Sequence, residues 1–186
     1  MHIKFENYMD YQAIIDKYYP ESDNLKSLLL LHSRQVADKS IASCRKHPEL
    51  HLDEAFVEEA AMLHDIGIRW CHAPSICCEG EEHYIRHGLI GGKLLRQEGF
   101  PLHAQVCERH TGTGLTKEQI VRQQLPLPPQ DFIPVTLEEK LICYADKFFS
   151  KSKPERVLTV EQAAQSLEKF GHEGVEKFLE WAELFE

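Results

Sequence analysis

His64 and Asp65 stand side by side at the end of an apolar run, Ala60, Ala61, Met62 and Leu63, and are followed by Ile66 and Gly67. An imidazole and a carboxylate are the N and O donors that ions such as Fe, Mn and Zn accept. Neighbours on a helix point about 100° apart, so one ion can take both only where the helix brings them to the edge of a cavity. Gly67 has no Cβ, and so lets the chain turn sharply or another group come close just after the pair. The alternative is a buried His-Asp pair that closes a hydrogen bond, and these residues alone do not separate the two. Four further polar side chains fall on or beside apolar helical patterns: His32, His87, His110 and Asp146. A carboxylate inside an apolar stripe needs a partner, because burying a lone charge is very costly. Four imidazoles and two carboxylates, with no thiolate, could hold two ions with one carboxylate between them. Two ions about 3.5 to 4 Å apart can activate a water and neutralise the oxygens of a phosphoryl group.

The elements that must position these residues read as helices throughout. Residues 5–19 carry Phe5, Tyr8, Tyr11, Ile14, Ile15 and Tyr18 at spacings of three and four, and Pro20 ends that helix. Asp23 or Asn24 can cap a second helix running to about Lys46, with His32 on its Leu28, Leu29, Val36 stripe. Asp53 starts a third, which delivers His64 and Asp65. Residues 68–83, with Pro74, Gly80 and three cysteines, show no period and read as a long loop of the kind that often rims a site. A fourth helix runs from Tyr84 to near Gly99. Gly91 and Gly92, one turn after His87, cost it stability and suggest a closely packed neighbour or room for a bound group. Pro101 opens a fifth helix, 101–110, and Thr116 a short helical segment. Thr136 and Glu139 suit a capping box for a sixth helix that carries Asp146. Two amphipathic patterns, 159–170 and 172–185, close the chain, and no strand is evident.

It is on these residues that the chain resembles a known family. His32 after Leu30 and Leu31, then His64-Asp65-Ile66-Gly67, then Asp146 within Tyr144-Ala145-Asp146-Lys147 look like the ordered signature of HD-domain metal-dependent phosphohydrolases. His87 and His110 resemble the additional ligands of that family's dinuclear branch, and the nearest likeness is to bacterial HD-domain hydrolases of symmetric diadenosine polyphosphates. The resemblance covers about residues 25–150. It implies an all-α fold: one helical HD-domain bundle over 1–186, with helix 5–19 and a C-terminal helical extension, 159–185, packed on the core. It further implies that His32, His64, Asp65 and Asp146 bind a first divalent ion and that Asp65 bridges to a second held by His87 and His110. The ions would be drawn from Fe, Mn, Zn, Co or Ni, and a metal-bound hydroxide would attack phosphorus. Arg69 matches a basic position that often follows the motif, and so becomes a candidate for catalysis and substrate binding beside Asp65. Thr111 and Lys147 are weaker candidates for substrate binding. Cys71, Cys77, Cys78, His72 and His83, and the proline-rich stretch 125–134, match nothing in the diadenosine polyphosphate hydrolases.

The implied activity is cleavage of a phosphoester or phosphoanhydride bond in a small phosphorylated substrate of the nucleotide kind. One alternative is a dinuclear-iron HD-type oxygenase. Such enzymes lean on more lysines and carboxylates around the site than the sequence offers. Another is a non-catalytic domain that senses a nucleotide. With 186 residues, 42% of them hydrophobic and 27% charged, the chain suits one compact domain. A net charge of −9 argues against a nucleic acid polymer as partner. The longest apolar run, Leu28–Leu31, is far short of the roughly 20 residues that span a bilayer, so no membrane is expected and the expected location is cytoplasmic. Six cysteines then read as free thiols rather than three disulfides. Pairing as a homodimer is left open by the sequence.

Overall fold

The computed structural model describes residues 9–186, so Phe5 and Tyr8 of the expected first helix lie outside the described residues. The fold is all-α. Helices α1 (Tyr11–Tyr18), α2 (Asn24–Lys46), α3 (Glu54–Leu63), α4 (His87–Gln97), α5 (Pro101–Arg109), α6 (Lys117–Arg122), α7 (Leu137–Asp146), α8 (Val160–Leu167) and α9 (His172–Phe185) follow one another along the chain. Six of their starts are set by side-chain caps. Asp10, Asp23, Asp53, Thr116, Thr136 and Thr159 each accept from a backbone N–H in the first turn of the helix they precede, satisfying a donor that has no partner within the helix.

The expected capping box on α7 is only half made. Thr136 Oγ1 accepts from Glu139 N at 3.2 Å, but the Glu139 carboxylate turns away to take the Val135 N–H at 2.6 Å and Arg109 Nη1 at 2.8 and 3.0 Å. The half-buried Arg109 guanidinium outcompetes the cap, and through it the end of α5 is tied to the start of α7.

The long loop expected over 68–83 is built from short 3-10 turns and a small sheet: β1 (Cys71–Ala73), β2 (Cys78–Glu79) and β3 (Glu82–His83), ordered β2-β1-β3. β1 runs antiparallel to β2 and parallel to β3. The expectation of no strand therefore fails here. Elements of two or three residues are too short to display a two-residue period, so the pattern carried no warning.

The core is one continuous apolar cluster. Leu29, Val36 and Ala37 of α2, Val57, Ala61 and Leu63 of α3, and Leu141, Ile142 and Ala145 of α7 are fully buried within it. At its far side the rings of Tyr144 and Phe148 meet Phe178 of α9 at centroid distances of 5.0 and 5.9 Å, which anchors the C-terminal helices.

Gly67 shows how tightly the turn after α3 is seated. A Cβ there would lie 2.1 Å from the His87 carbonyl oxygen and 2.6 Å from Gly91 N, all of it backbone. Gly88 and Gly92 let α4 lie against α5 in the same way, with Cys107 O and Glu108 Cγ at 2.4 and 2.6 Å from the atoms they lack. The Tyr19 hydroxyl then clamps the turn. It donates to Ile66 O at 2.8 Å and accepts from Arg69 N at 3.2 Å. Gly67→Ala is expected to destabilise the protein by about 3 kcal/mol or more, because rigid backbone must move to admit the methyl group. Urea unfolding of the two proteins measures it, and a loss below about 1 kcal/mol would show that the turn and α4 can separate.

Candidate metal centre and the cavity beside it

Most of the polar residues singled out in the sequence sit at helix ends. His64 caps the C-terminus of α3 and Asp65 follows it; His87 is the first residue of α4; His110 caps the C-terminus of α5; Asp146 is the last residue of α7. His32 alone projects from a helix middle. All six are buried, with His64 and Asp65 fully so.

Three of the histidines are fixed in one tautomer by the same local device. The Nδ1 of His64, His87 and His110 lies 2.6, 2.7 and 2.7 Å from the carbonyl oxygen three residues earlier, in Ala61, Tyr84 and Cys107. A carbonyl only accepts, so each Nδ1 carries the proton and donates it. In the neutral ring each Nε2 then presents a bare lone pair inward, the form in which imidazole binds metal.

These lone pairs converge on the two oxygens of one carboxylate. Asp65 Oδ2 lies 3.3 Å from His32 Nε2 and 3.1 Å from His64 Nε2, while Asp65 Oδ1 lies 3.4 Å from His87 Nε2 and 3.5 Å from His110 Nε2. Asp146 Oδ1 joins the first group, 2.9 Å from His32 Nε2 and 3.6 Å from His64 Nε2. Two sets of three residues, His32, His64 and Asp65 and then Asp65, His87 and His110, thus offer donor atoms all within 4.8 Å of one another. No hydrogen bond of good geometry reaches His64 Nε2 or Asp65 Oδ1, while Asp65 Oδ2 also meets the Lys151 ammonium, at 2.5 Å. His87 Nε2 and His110 Nε2 face each other at 3.0 Å, lone pair to lone pair, which repels. Two nitrogens bound to one ion at about 2.1 Å and at right angles would lie about that far apart. Buried orphaned atoms and opposed lone pairs fit a divalent cation in each set, with Asp65 shared.

The electrostatics of the cluster agree. Burial works to raise the Asp65 carboxyl, but the ammonium of Lys151 and the neighbouring His64, His110 and His32 outweigh it and hold the group well below the usual carboxylate range. Burial likewise opposes ionisation of Asp146, and Lys147, His32 and His64 hold it down. Burial opposes a charge on His64, yet the two carboxylates beside it push its pKa up to about 9, so positive charge is drawn to that position. At the other set burial and the facing His110 push His87 down to about 3, and burial lowers His110. Both stay neutral, as ligands must.

A cavity of about 730 Å³ opens at Asp146. Thr111 and Lys147 line it as the sequence suggests, and Lys147 Nζ also lies 2.7 Å from Asp146 Oδ2. Arg69 is elsewhere: its guanidinium lies over the Tyr19 ring, 5.6 Å from the centroid, and it is not among the residues lining the cavity. Arg109 is taken by Glu139, as described above.

Lys151 was missed. Its Nζ lies 2.5 Å from Asp65 Oδ2 with the side chain 14% exposed, and it faces the cavity. Burial opposes its charge, but Asp65, Tyr84 and Asp146 raise its pKa, so it is a fixed cation. In sequence it sits in Ser150-Lys151-Ser152-Lys153-Pro154, which reads as a solvated loop; the only signal was the density of cations following Asp146. Lys151 also removes the argument that too few lysines surround the site for oxygenase chemistry.

A family model, the HD domain, matches residues 29–150. An uncharacterised protein of Methanocaldococcus jannaschii is 36% identical over 133 residues, covering 71% of this chain and 70% of that protein. Proteins named tRNA (cytidine(56)-2'-O)-methyltransferase from Thermoplasma volcanium and Picrophilus torridus are 28% and 29% identical over 165 and 161 residues. These alignments cover 88% and 82% of this chain but only 43% and 42% of those proteins, so the chain spans less than half their length. No solved structure matches the chain. A family match over well more than half of the residues, with every position of the ordered His, His-Asp and Asp signature inside it, places the chain in the HD-domain family.

Proposed function

We propose that the protein is a metal-dependent phosphohydrolase that cleaves a phosphoester or phosphoanhydride bond in a small phosphorylated substrate of the nucleotide kind. The observation that carries this is the division of Asp65, one oxygen to each histidine set, behind a cavity that opens at Asp146 and whose charged lining is that one carboxylate and five cations, Lys147, Lys151, Lys153, Arg156 and Lys169. A cavity charged in that sense, in a chain of net charge −9, selects anions.

His32, His64, Asp65 and Asp146 would hold one ion and Asp65, His87 and His110 a second. Such a pair supplies an activated water and neutralises phosphoryl oxygens. The chain does the rest. The three Nδ1–H bonds keep their imidazoles from rotating, and Asp65 is held ionised. Lys151 and Lys147, each paired with a carboxylate of the site, offer their remaining N–H donors to phosphoryl oxygens entering from the cavity. Thr111, directly after His110, presents a hydroxyl on the same wall. The methyl transfer named for two relatives is not carried over, since the chain covers less than half of them. The diadenosine polyphosphate subgroup has no support beyond the residues quoted for it. The oxygenase alternative predicts oxygen uptake with a candidate substrate, and a non-catalytic sensor predicts binding without turnover.

Elemental analysis combined with a panel of nucleotides and phosphomonoesters, supplied with Mn, Fe, Co or Ni, tests the proposal. Hydrolysis should depend on metal and fall by about 100-fold or more in Asp65→Ala, with both ions lost. Substituting both His87 and His110 by Ala should remove about one equivalent and leave the other. A protein that carries metal yet hydrolyses nothing in the panel would overturn the proposal.

Lys151→Met should retain the ions and the fold while kcat/KM falls about 10- to 100-fold, on the order of one charged hydrogen bond. Unchanged kinetics would show that Lys151 only neutralises Asp65.

A further inference from the structure

Lys169 lies over the Phe170 ring, 4.8 Å from its centroid, and the other four cations of the cavity fall into two kinds. Lys147 and Lys151 are committed to ligand carboxylates, at 2.7 Å from Asp146 and 2.5 Å from Asp65. Lys153 and Arg156 also line the cavity, but no carboxylate lies within ion-pair distance of either among the described residues. Both are exposed, and both sit on a loop that is held rather than loose. Lys153 N donates to Ser150 O at 3.2 Å and Arg156 N to Lys153 O at 3.0 Å, forming two successive turns. Phe149 and Val157 form a bridge across the base of the loop, and Leu158 N donates to Phe148 O at 2.9 Å. From α2, Gln35 Nε2 donates to Pro154 O at 2.9 Å. The backbone carrying the two cations is therefore ordered before any ligand arrives, which lowers the entropy cost of using them. A single phosphoryl group at the ligands is already served by Lys147 and Lys151, and a cavity of about 730 Å³ is far larger than such a group.

We propose that Lys153 and Arg156 form a second anion subsite, and that the substrate carries two separately held phosphoryl groups: one at the His and Asp ligands and one at this rim. This rests on the phosphohydrolase proposal for the first position and names what lies at the second. Arg156 can grip a phosphate through two parallel N–H bonds, and Lys153 adds a point charge beside it. The second group could follow the first along a phosphate chain or sit elsewhere on the molecule; the chemistry of recognition is the same, and the two are separable by experiment.

Calorimetric binding to the manganese-loaded protein reads the subsite without turnover. Tripolyphosphate against inorganic phosphate tests a second group on the same chain, and fructose 1,6-bisphosphate against fructose 6-phosphate tests one across a carbon skeleton. At least one doubly charged probe should bind 10-fold or more tighter than its partner. That advantage should vanish in Lys153→Gln/Arg156→Gln, with phosphate binding unchanged. Lys93→Gln/Lys140→Gln, which lowers the net charge equally at positions away from the cavity lining, should keep the advantage. Thermal unfolding of each variant confirms that the exposed substitutions leave the fold intact. No advantage for either probe, an advantage that survives in Lys153→Gln/Arg156→Gln, or its loss in the Lys93 and Lys140 control would overturn the inference. Failure of hydrolysis with binding retained would instead count against the phosphohydrolase proposal alone.

Discussion

The rest of the molecule depends on the Asp65 carboxylate being buried, charged and shared. A carboxylate without exposure is stable only if positive or hydrogen-bonding groups meet it from several directions. Here four imidazoles and one ammonium converge on its two oxygens from separate elements. That requirement explains the backbone around it. The chain must leave α3 within one residue of His64, pass under α4 where no Cβ can fit, and be pinned by the Tyr19 hydroxyl. It also explains why ligands gather at helix ends. A terminal side chain can reach across a gap between helices, and the terminal turns supply the carbonyls that orient the three imidazoles.

The buried polar cluster was legible in the sequence for the same reason that it is costly in the fold. His32 and Asp146 interrupt apolar stripes, and His64, Asp65, His87 and His110 stand where apolar helices stop, so each polar side chain is out of place on a buried face. Gly67, Gly91 and Gly92 were legible as points of close approach, and what they admit is now identified: the backbone of α4 at Gly67, the Ile66 and Cys107 side chains at Gly91, and the Glu108 side chain at Gly92. Lys151 was not legible, because a lysine among serines beside a proline looks solvated, and only the fold turns it inward onto Asp65. Arg69 shows the reverse error of inference: adjacency to a motif does not fix direction, and in a tight 3-10 turn its guanidinium leaves along the Tyr19 ring. The small sheet escaped because its strands are shorter than any period, and Glu139 because the cap and the ion pair with Arg109 compete for one carboxylate.

Charge distribution links the centre to the cavity. The chain is acidic as a whole, so anions meet unfavourable potential over most of its surface, whereas the lining of the cavity reverses the sign. Such a reversal favours an anion in the cavity, because concave walls of low dielectric focus the field of the few cations they hold. The same cations compensate the acids that would otherwise repel the ligand. Lys147 beside Asp146 and Lys151 beside Asp65 are placed where the carboxylates of the centre and an anion in the cavity would compete for positive charge.

The histidine pair shows what this arrangement costs. His87 and His110 are both buried, both neutral and both locked with Nε2 inward at 3.0 Å from each other. Rotating either ring would relieve the repulsion but break an Nδ1–H bond of 2.7 Å, a loss of about 0.5 to 1.5 kcal/mol. The protein therefore keeps the repulsion and carries it on the apolar core behind the centre, where Leu63, Ile66, Ile68 and Leu95 are fully buried around these turns. A divalent ion turns the same geometry from a liability into coordination, so ion binding and the stability of this region are one linked quantity. It follows that the tautomer-fixing carbonyls of Ala61, Tyr84 and Cys107 belong to the site as much as the imidazoles do, and Tyr84 adds its ring, stacked on His87 at 4.7 Å between centroids.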